Sequence, residues 1–301
     1  MIERTSESIS FETIINQEPL ILIDSGIYAK SNEDWYEDGI YEAKRYSQLD
    51  TEILYSALLR LEKLENLLLE PNVKTIPKVI DEFIYIRDKL KEKLRNLNAH
   101  EKGIPKKYKD EPKLKECHEA VEYKKRILED ICFLFHNVQR IAKRSESLFI
   151  PQDKIKFYHL EKIVIATAEI TEAKIDFSSR YHSFRKKEED LHTDEQLVAA
   201  ALYLSIFDNL RSCILTSDSD IQRILKRTYN YLTSSLVSSN GQIARALKEN
   251  PINVYFETGP ETAGCRVDTC RLVTNKFDFY NYHLKEIHDQ NNGELKAIFS
   301  N

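Results

Sequence analysis

Glycine, cysteine and long apolar runs are all scarce in this chain. Seven glycines among 301 residues, together with many stretches rich in Leu, Ile, Glu and Lys, predict that helix dominates. No apolar run approaches the roughly 18 to 20 residues that a membrane-spanning helix needs, so we expect no membrane partner. Five cysteines without the spacing of a disulfide framework, and a start without a basic and then apolar leader, predict a cytoplasmic location.

An excess of positive charge is also missing. The formal net charge is -5, which argues against a protein that coats nucleic acid through a uniformly basic surface, because phosphate binding leaves a basic footprint. A local basic patch is still compatible with this composition. The chain is 42% hydrophobic and 31% charged, which is ordinary for a globular protein with a sizeable core.

The apolar pattern alternates between short continuous runs and helical spacing. Continuous runs that end in polar residues are typical of strands buried on both faces. Such strands are predicted at 19–23, 73–76, 213–216, 254–257 and 265–273. Helices are predicted at 49–70, from 77 onward, at 114–145, from 152 past 178, from 193 onward and at 218–236. The alternation predicts an α/β fold with a central, mostly parallel sheet flanked by helices.

Residues 98–151 interrupt this alternation. A basic loop that contains Gly103, Pro105 and Pro112 comes first, and a long helical pattern follows it. We therefore predict a helical insertion at 98–151 in a discontinuous core formed by 1–97 and 152–280, with a polar C-terminal tail at 281–301. The insertion is a candidate surface for a protein partner or for a homo-oligomer.

Four acidic stretches each lie where a predicted strand ends or a predicted helix begins. They are Asp24-Ser25, Asp81-Glu82, Thr193-Asp194-Glu195-Gln196 and Ser217-Asp218-Ser219-Asp220. The carboxyl ends of parallel strands converge on one crevice, and oxygen-rich pockets bind Mg²⁺ or Mn²⁺. Paired ions of this kind hydrolyse phosphodiesters, so the pattern predicts a site for that chemistry.

Each stretch also has a local explanation. Residues 193–196 match a capping box, and residues 217–220 resemble a helix cap. Asp24 could cap a helix that begins at Gly26, and Glu82 could be a solvated helix residue.

The helical phase of two of these carboxylates favours the joint explanation. Asp194 lies three residues before Leu197, and Glu82 lies three residues after Val79 and four before Ile86, so both continue apolar stripes. A carboxylate on such a stripe is costly unless it is paired or bound to metal.

The four stretches resemble the successive motifs of PIN domains. The matching segments are a hydrophobic strand followed by Asp-Ser, then Ile-Pro-Lys-Val-Ile-Asp-Glu-Phe, then Thr-Asp-Glu-Gln-Leu-Val-Ala-Ala-Ala, and last Ile-Leu-Thr-Ser-Asp-Ser-Asp-Ile. PIN domains are metal-dependent ribonucleases with a Rossmann-like core, related to flap endonucleases. The resemblance covers about half of the chain. The interval between the second and third motifs is far wider than in compact PIN toxins, so it implies a larger PIN-like protein with an elaborated substrate or partner surface.

The resemblance implies a set of catalytic and metal-binding residues. The acidic quartet would be Asp24, Glu82, Asp194 and Asp218, with Asp220 as a fifth metal-binding carboxylate. Asp81 competes with Glu82 for the second position. Ser25 and Thr216 would orient ligands or the scissile phosphate.

The same resemblance implies hydrolysis of nucleic acid, RNA more than DNA, by two Mg²⁺ or Mn²⁺ ions. Arg223 and Arg227 share one face of the helix that begins at the last motif, so they are candidate phosphate contacts. Two alternatives stay open. One is a non-catalytic PIN-like module that serves as an RNA- or protein-binding scaffold, and the other is a DNA structure-specific nuclease.

Overall fold

A computed structural model describes most of the chain. It covers residues 8–27, 40–102, 112–175, 192–234, 237, 241–257, 269–273 and 284–299. In these ranges the strands are β1 (Ser8–Ser10), β2 (Ile21–Ile23), β3 (Val73–Lys74), β4 (Ser212–Thr216), β5 (Ile252–Glu257) and β6 (Thr269–Val273). The α-helices are α1 (Phe11–Gln17), α2 (Thr51–Leu67), α3 (Pro77–Lys102), α4 (Pro112–Ala142), α5 (Lys154–Ile175), α6 (Thr193–Ile206), α7 (Ser219–Leu232), α8 (Gln242–Glu249) and α9 (Leu284–Phe299).

The strands form one mixed sheet in the order β1-β6-β5-β4-β2-β3. Strands β3, β2, β4 and β5 are parallel, with Ile21 of β2 paired to Val73 on one side and to Cys213 on the other. Strands β6 and β1 extend the sheet in antiparallel fashion. The predicted α/β architecture with a central parallel sheet and flanking helices is confirmed at this level.

The central strands β2 and β4 have no face exposed to solvent. Every residue of β2 and of β4 is buried, because helices cover the sheet. Helix α6 packs against β4 and β5, and its residues from Leu197 to Leu204 are all buried. A helix that is apolar all round is expected in such a position.

Helix α4, which falls in the predicted insertion, packs against α2 and α3. Its residues Ile131, Phe135 and Val138 are fully buried and belong to the same hydrophobic cluster as the strand residues. The described part of 98–151 therefore contributes to the core that supports the sheet.

The structure corrects several expectations at the ends of the chain. The polar tail expected at 281–301 is wrong for residues 284–299, which form α9 and pack on α5. Asn291, Leu295 and Ile298 are buried there, and their spacing places them on one helical face. Elements β1, α1 and α8 were not predicted, because each is only three to eight residues long.

Other differences concern the limits of elements. Strand β3 ends at Lys74, before Thr75 forms an isolated bridge with Leu148. Of the basic loop predicted from residue 98, residues 98–102 belong to α3 and the residues from Pro112 onward belong to α4. Residues 103–111, the helical pattern beyond residue 175, and residues 265–268 lie outside the described residues. Among the described helices, none is both long and apolar enough to cross a membrane.

Candidate functional site

The first and last acidic stretches lie side by side because they follow neighbouring parallel strands. Asp24 comes directly after β2, and Thr216 ends β4. The backbone N–H of Asp24 donates to the carbonyl of Leu215 at 3.0 Å, which extends the pairing of the two strands by one residue. Both stretches therefore lie at the carboxyl edge of the sheet, as predicted.

A chain of hydrogen bonds fixes the orientation of these residues. The hydroxyl of Thr216 donates to Oδ2 of Asp24 at 2.7 Å, and it accepts from the backbone N–H of Asp218 at 2.8 Å. Oδ1 of Asp218 accepts in turn from the backbone N–H of Asp220 at 2.8 Å. Asp218 is thus the N-cap of α7, as the local explanation proposed, and Thr216 joins it to Asp24.

Asp24 is in an environment that disfavours its charge. The residue is only 3% exposed, and burial together with the charges of Glu82 and Asp218 raises the pKa of its carboxyl group from 3.8 to about 7. Hydrogen bonds from Thr216 and from the backbone of Ser25 act in the opposite direction. Burial and neighbouring negative charge therefore outweigh the hydrogen bonds.

Asp194, on helix α6, is affected by the same two carboxylates as Asp24, those of Glu82 and Asp218. Burial raises the pKa of its carboxyl group well above the ordinary value, and the charges of Asp24, Asp218, Glu195 and Glu82 raise it further. Negative charges from three other segments of the chain therefore act on Asp194. We call Asp24, Glu82, Asp194 and Asp218 the acidic cluster.

The structure distinguishes the two neighbouring carboxylates of α3. Asp81 is exposed, whereas Glu82 is partly buried, and the charge of Glu82 acts on both Asp24 and Asp194. Glu82 therefore faces the cluster, in agreement with its phase relative to Val79 and Ile86.

The predicted capping box at the start of α6 is wrong. The N-cap residue is His192, with φ of 50° and no side-chain capping bond. The hydroxyl of Thr193 is buried and has no hydrogen-bond partner among the described residues, and Gln196 donates to Glu161. The left-handed backbone at His192 is costly for a residue with a side chain, by about 1 to 3 kcal/mol, and such strain often occurs near functional sites.

The sequence predicted no contact between Gly26, Ser217 and Asp24. A Cβ atom on Gly26 would lie 2.6 Å from Oγ of Ser217 and 2.9 Å from Oδ2 of Asp24, so only glycine fits without displacing one of them. Oγ of Ser217 is itself buried and has no hydrogen-bond partner in the described part of the chain. The one available signal was a glycine soon after a buried strand in a chain with few glycines.

The fifth carboxylate and the two candidate phosphate contacts lie along α7. Oδ1 of Asp220 pairs with Nη2 of Arg223 at 3.0 Å, and the side chain of Arg223 is 63% exposed. Arg227 lies one turn further on and is partly buried. Asp220 is therefore engaged by a cation at the start of α7, and Arg223 extends into solvent. Ser25 keeps its hydroxyl 3.4 Å from Oδ1 of Asp24.

The donor atoms of the acidic cluster fit a hard divalent cation. They are carboxylate oxygens, which Mg²⁺ and Mn²⁺ prefer. Burial first, and then the charges of Glu82 and Asp218, raise the pKa of Asp24, and a bound cation would offset both effects. In the described ranges, no three or more His, Cys, Asp or Glu side chains are already arranged to hold an ion. Mg²⁺ commonly takes one or two protein carboxylates and keeps several waters, so its binding does not require such a preformed group.

Comparison of the chain with protein-family models, with curated proteins and with solved structures finds no match.

Proposed function

We propose that the protein is a PIN-like, metal-dependent nuclease with a Rossmann-like core. The observation that supports this most is the acidic cluster, in which burial and neighbouring carboxylates raise the pKa of Asp24 and Asp194 at the carboxyl edge of a parallel sheet. Local helix capping explains Asp218, but it does not explain why the other three carboxylates gather around it.

Electrostatics gives the reason to place cations there. Several carboxylates cannot all ionise in one buried crevice without positive charge, and a divalent ion supplies it. Bound Mg²⁺ or Mn²⁺ would activate a water molecule and stabilise the leaving oxygen of a phosphodiester. Asp24 and Asp218 would hold the metal, because they lie on adjacent strand ends and are joined through Thr216. Asp194 and Glu82 would complete the site.

The remaining residues would bind and orient the substrate. The hydroxyl of Thr216 orients Asp24, and Ser25 lies on the other oxygen of the same carboxylate. Arg223 is exposed on the helix that begins beside the cluster, so it and Arg227 would bind phosphates of the substrate backbone. Asp220 would hold Arg223 or contribute to the metal site. RNA is proposed over DNA, and a cytoplasmic location is proposed with it.

Cleavage of matched oligonucleotides tests the proposal. We expect the protein to cut end-labelled single-stranded RNA with Mn²⁺ and not with a chelator, and to cut DNA of the same sequence more slowly. Asp24→Asn and Asp218→Asn should each reduce the rate on the order of a hundredfold or more, because losing only a partner of a metal ligand already costs about 10- to 100-fold. Asp81→Asn, an exposed neighbour of Glu82, is the matched control and should cleave like the wild type. Activity that survives both cluster substitutions would overturn the assignment.

A non-catalytic scaffold is the second candidate. It is favoured because two cluster residues already stabilise the fold: Asp218 caps α7, and Asp24 accepts a hydrogen bond from the hydroxyl of Thr216. A scaffold would bind RNA or a protein with the same affinity with or without Mn²⁺ and would cleave nothing. A preference for branched DNA over single strands in the same assay would favour the structure-specific nuclease.

A further inference from the structure

Glu161, which is not part of the acidic cluster, forms hydrogen bonds with the two helices that carry Glu82 and Asp194. Oε1 of Glu161, on α5, accepts a hydrogen bond from Nζ of Lys78 on α3 at 3.0 Å. The same oxygen accepts from Nε2 of Gln196 on α6, also at 3.0 Å. Glu161 thus connects three helices through a single atom.

The two donors lie in the first turns of their helices, each within four residues of a member of the cluster. Lys78 precedes Glu82 by four residues on α3, which is one helical turn on the same face. Gln196 follows Asp194 by two residues on α6. Any movement of α3 away from α6 at this end must therefore stretch one of the two bonds to Glu161.

Such movement is favoured by the charges of the cluster. Ligands of a divalent cation must be ionised, and ionised Glu82 and Asp194 would repel each other, which would tend to separate the helices that carry them. The side chains of Lys78 and Glu161 are only 29% and 15% exposed, so water screens their attraction less than it would at the surface. A charged hydrogen bond of this kind is about twice as strong as a neutral one.

We propose that Glu161 is a positioning residue that holds Glu82 and Asp194 close enough to share divalent cations. This inference rests on the proposed function, because it assigns Glu161 a role in the affinity of the metal site. Glu161 acts through Lys78 and Gln196 and is not itself a ligand.

Calorimetric titration of Mn²⁺ into the metal-free full-length protein tests the proposal. Glu161→Gln keeps the shape of the side chain but loses its charge, and we expect it to bind Mn²⁺ about tenfold more weakly, which corresponds to about 1.4 kcal/mol. Lys78→Met should weaken binding by a similar factor, while Lys78→Arg keeps the charge and should retain most of the affinity. Melting curves show which variants are folded. If Glu161→Gln does not fold, the comparison of Lys78→Met with Lys78→Arg decides the test.

Glu294→Gln is the matched control. Glu294 on α9 contacts His159 and Lys162 of the same helix α5, but neither contact involves α3 or α6. It should lower stability without changing Mn²⁺ affinity by more than about twofold. Folded Glu161→Gln and Lys78→Met variants that bind Mn²⁺ like the wild type would overturn the positioning role and leave the metal site intact. Failure of the wild-type protein to bind Mn²⁺ would overturn both.

Discussion

The two ends of strand β2 carry buried carboxylates in opposite surroundings. Glu18, before the strand, is 4% exposed, and Asp24, after it, is 3% exposed. Oε1 of Glu18 accepts from Asn253 and from Tyr255, each at 2.7 Å, and its other oxygen lies 3.4 Å from Nε of Arg211. Asp24 accepts hydrogen bonds from Thr216 and Ser25, and the charged groups that act on it are the carboxylates of Glu82 and Asp218.

This difference separates a structural carboxylate, Glu18, from the candidate metal ligand, Asp24. At the amino edge of the sheet, Glu18 joins α1 to the starts of β4 and β5, and neighbouring donors and a cation compensate its charge. At the carboxyl edge, the charged groups that act on Asp24 among the described residues are the carboxylates of Glu82 and Asp218, which raise its pKa together with burial. Burial alone would not distinguish the two, whereas the sign of the neighbouring charges does.

The largest effect on stability is expected from removing Glu18. Glu18→Ala leaves Asn253 and Tyr255 without their shared acceptor and Arg211 without its ion-pair partner, and leaving a buried donor unsatisfied costs about 1 to 3 kcal/mol for each donor. Urea unfolding should show that loss in the free energy of unfolding, while the protein that remains folded binds Mn²⁺ with wild-type affinity. Lost Mn²⁺ affinity in the folded fraction would show that the two edges are not independent.

Asp24→Asn is expected to have the opposite effect on stability. The pKa of Asp24 in the folded protein, about 7, exceeds the ordinary value of 3.8, so the folded state holds its proton more tightly than the unfolded state does. The stability that this proton contributes is complete below about pH 4 and is lost as the pH rises to about 7. Asn is neutral throughout, so the variant should be more stable than the wild type at pH 8 by about 2 to 4 kcal/mol.

Urea unfolding in a chelator at pH 5 and pH 8 measures this difference. Saturating Mn²⁺ should reduce the advantage of the variant at pH 8, because the ion stabilises only the wild-type carboxylate. Equal pH dependence in both proteins would contradict the electrostatic account of the carboxyl edge.

A smaller effect is expected from Gly26→Ala. The added Cβ would lie 2.6 Å from Oγ of Ser217 and 2.9 Å from Oδ2 of Asp24, and relieving that overlap should cost about 1 to 3 kcal/mol. Displacement of the Asp24 carboxylate should also weaken Mn²⁺ binding.

The matched control is Gly293→Ala on α9, where a Cβ meets no atom within 4 Å. That substitution should stabilise the protein by up to about 1 kcal/mol, because alanine favours helix more than glycine does. Equal changes at both positions would show that the contact at Gly26 is unimportant.

The sequence predicted the parts of this edge that depend on periodicity. Continuous apolar runs located β2 and β4. The phase of Glu82 relative to Val79 and Ile86 predicted that it continues the apolar stripe of α3, and the structure has it partly buried. The contacts between Gly26 and Ser217, and between Glu161 and two other helices, could not be predicted, because they depend on distances between segments remote in sequence. The capping box at 193–196 failed for the same reason: Gln196 bonds to Glu161 on another helix instead of to its own.

Diffraction from crystals grown with Mn²⁺ tests the central claim most directly, because anomalous scattering locates the ion independently of any activity. The account predicts anomalous density at the carboxyl edge of the sheet, in contact with carboxylate oxygens of Asp24 and Asp218, and none beside Glu18. Asp24→Asn crystals should lose it. Well-diffracting wild-type crystals in saturating Mn²⁺ that show no density between Asp24 and Asp218 would contradict the account.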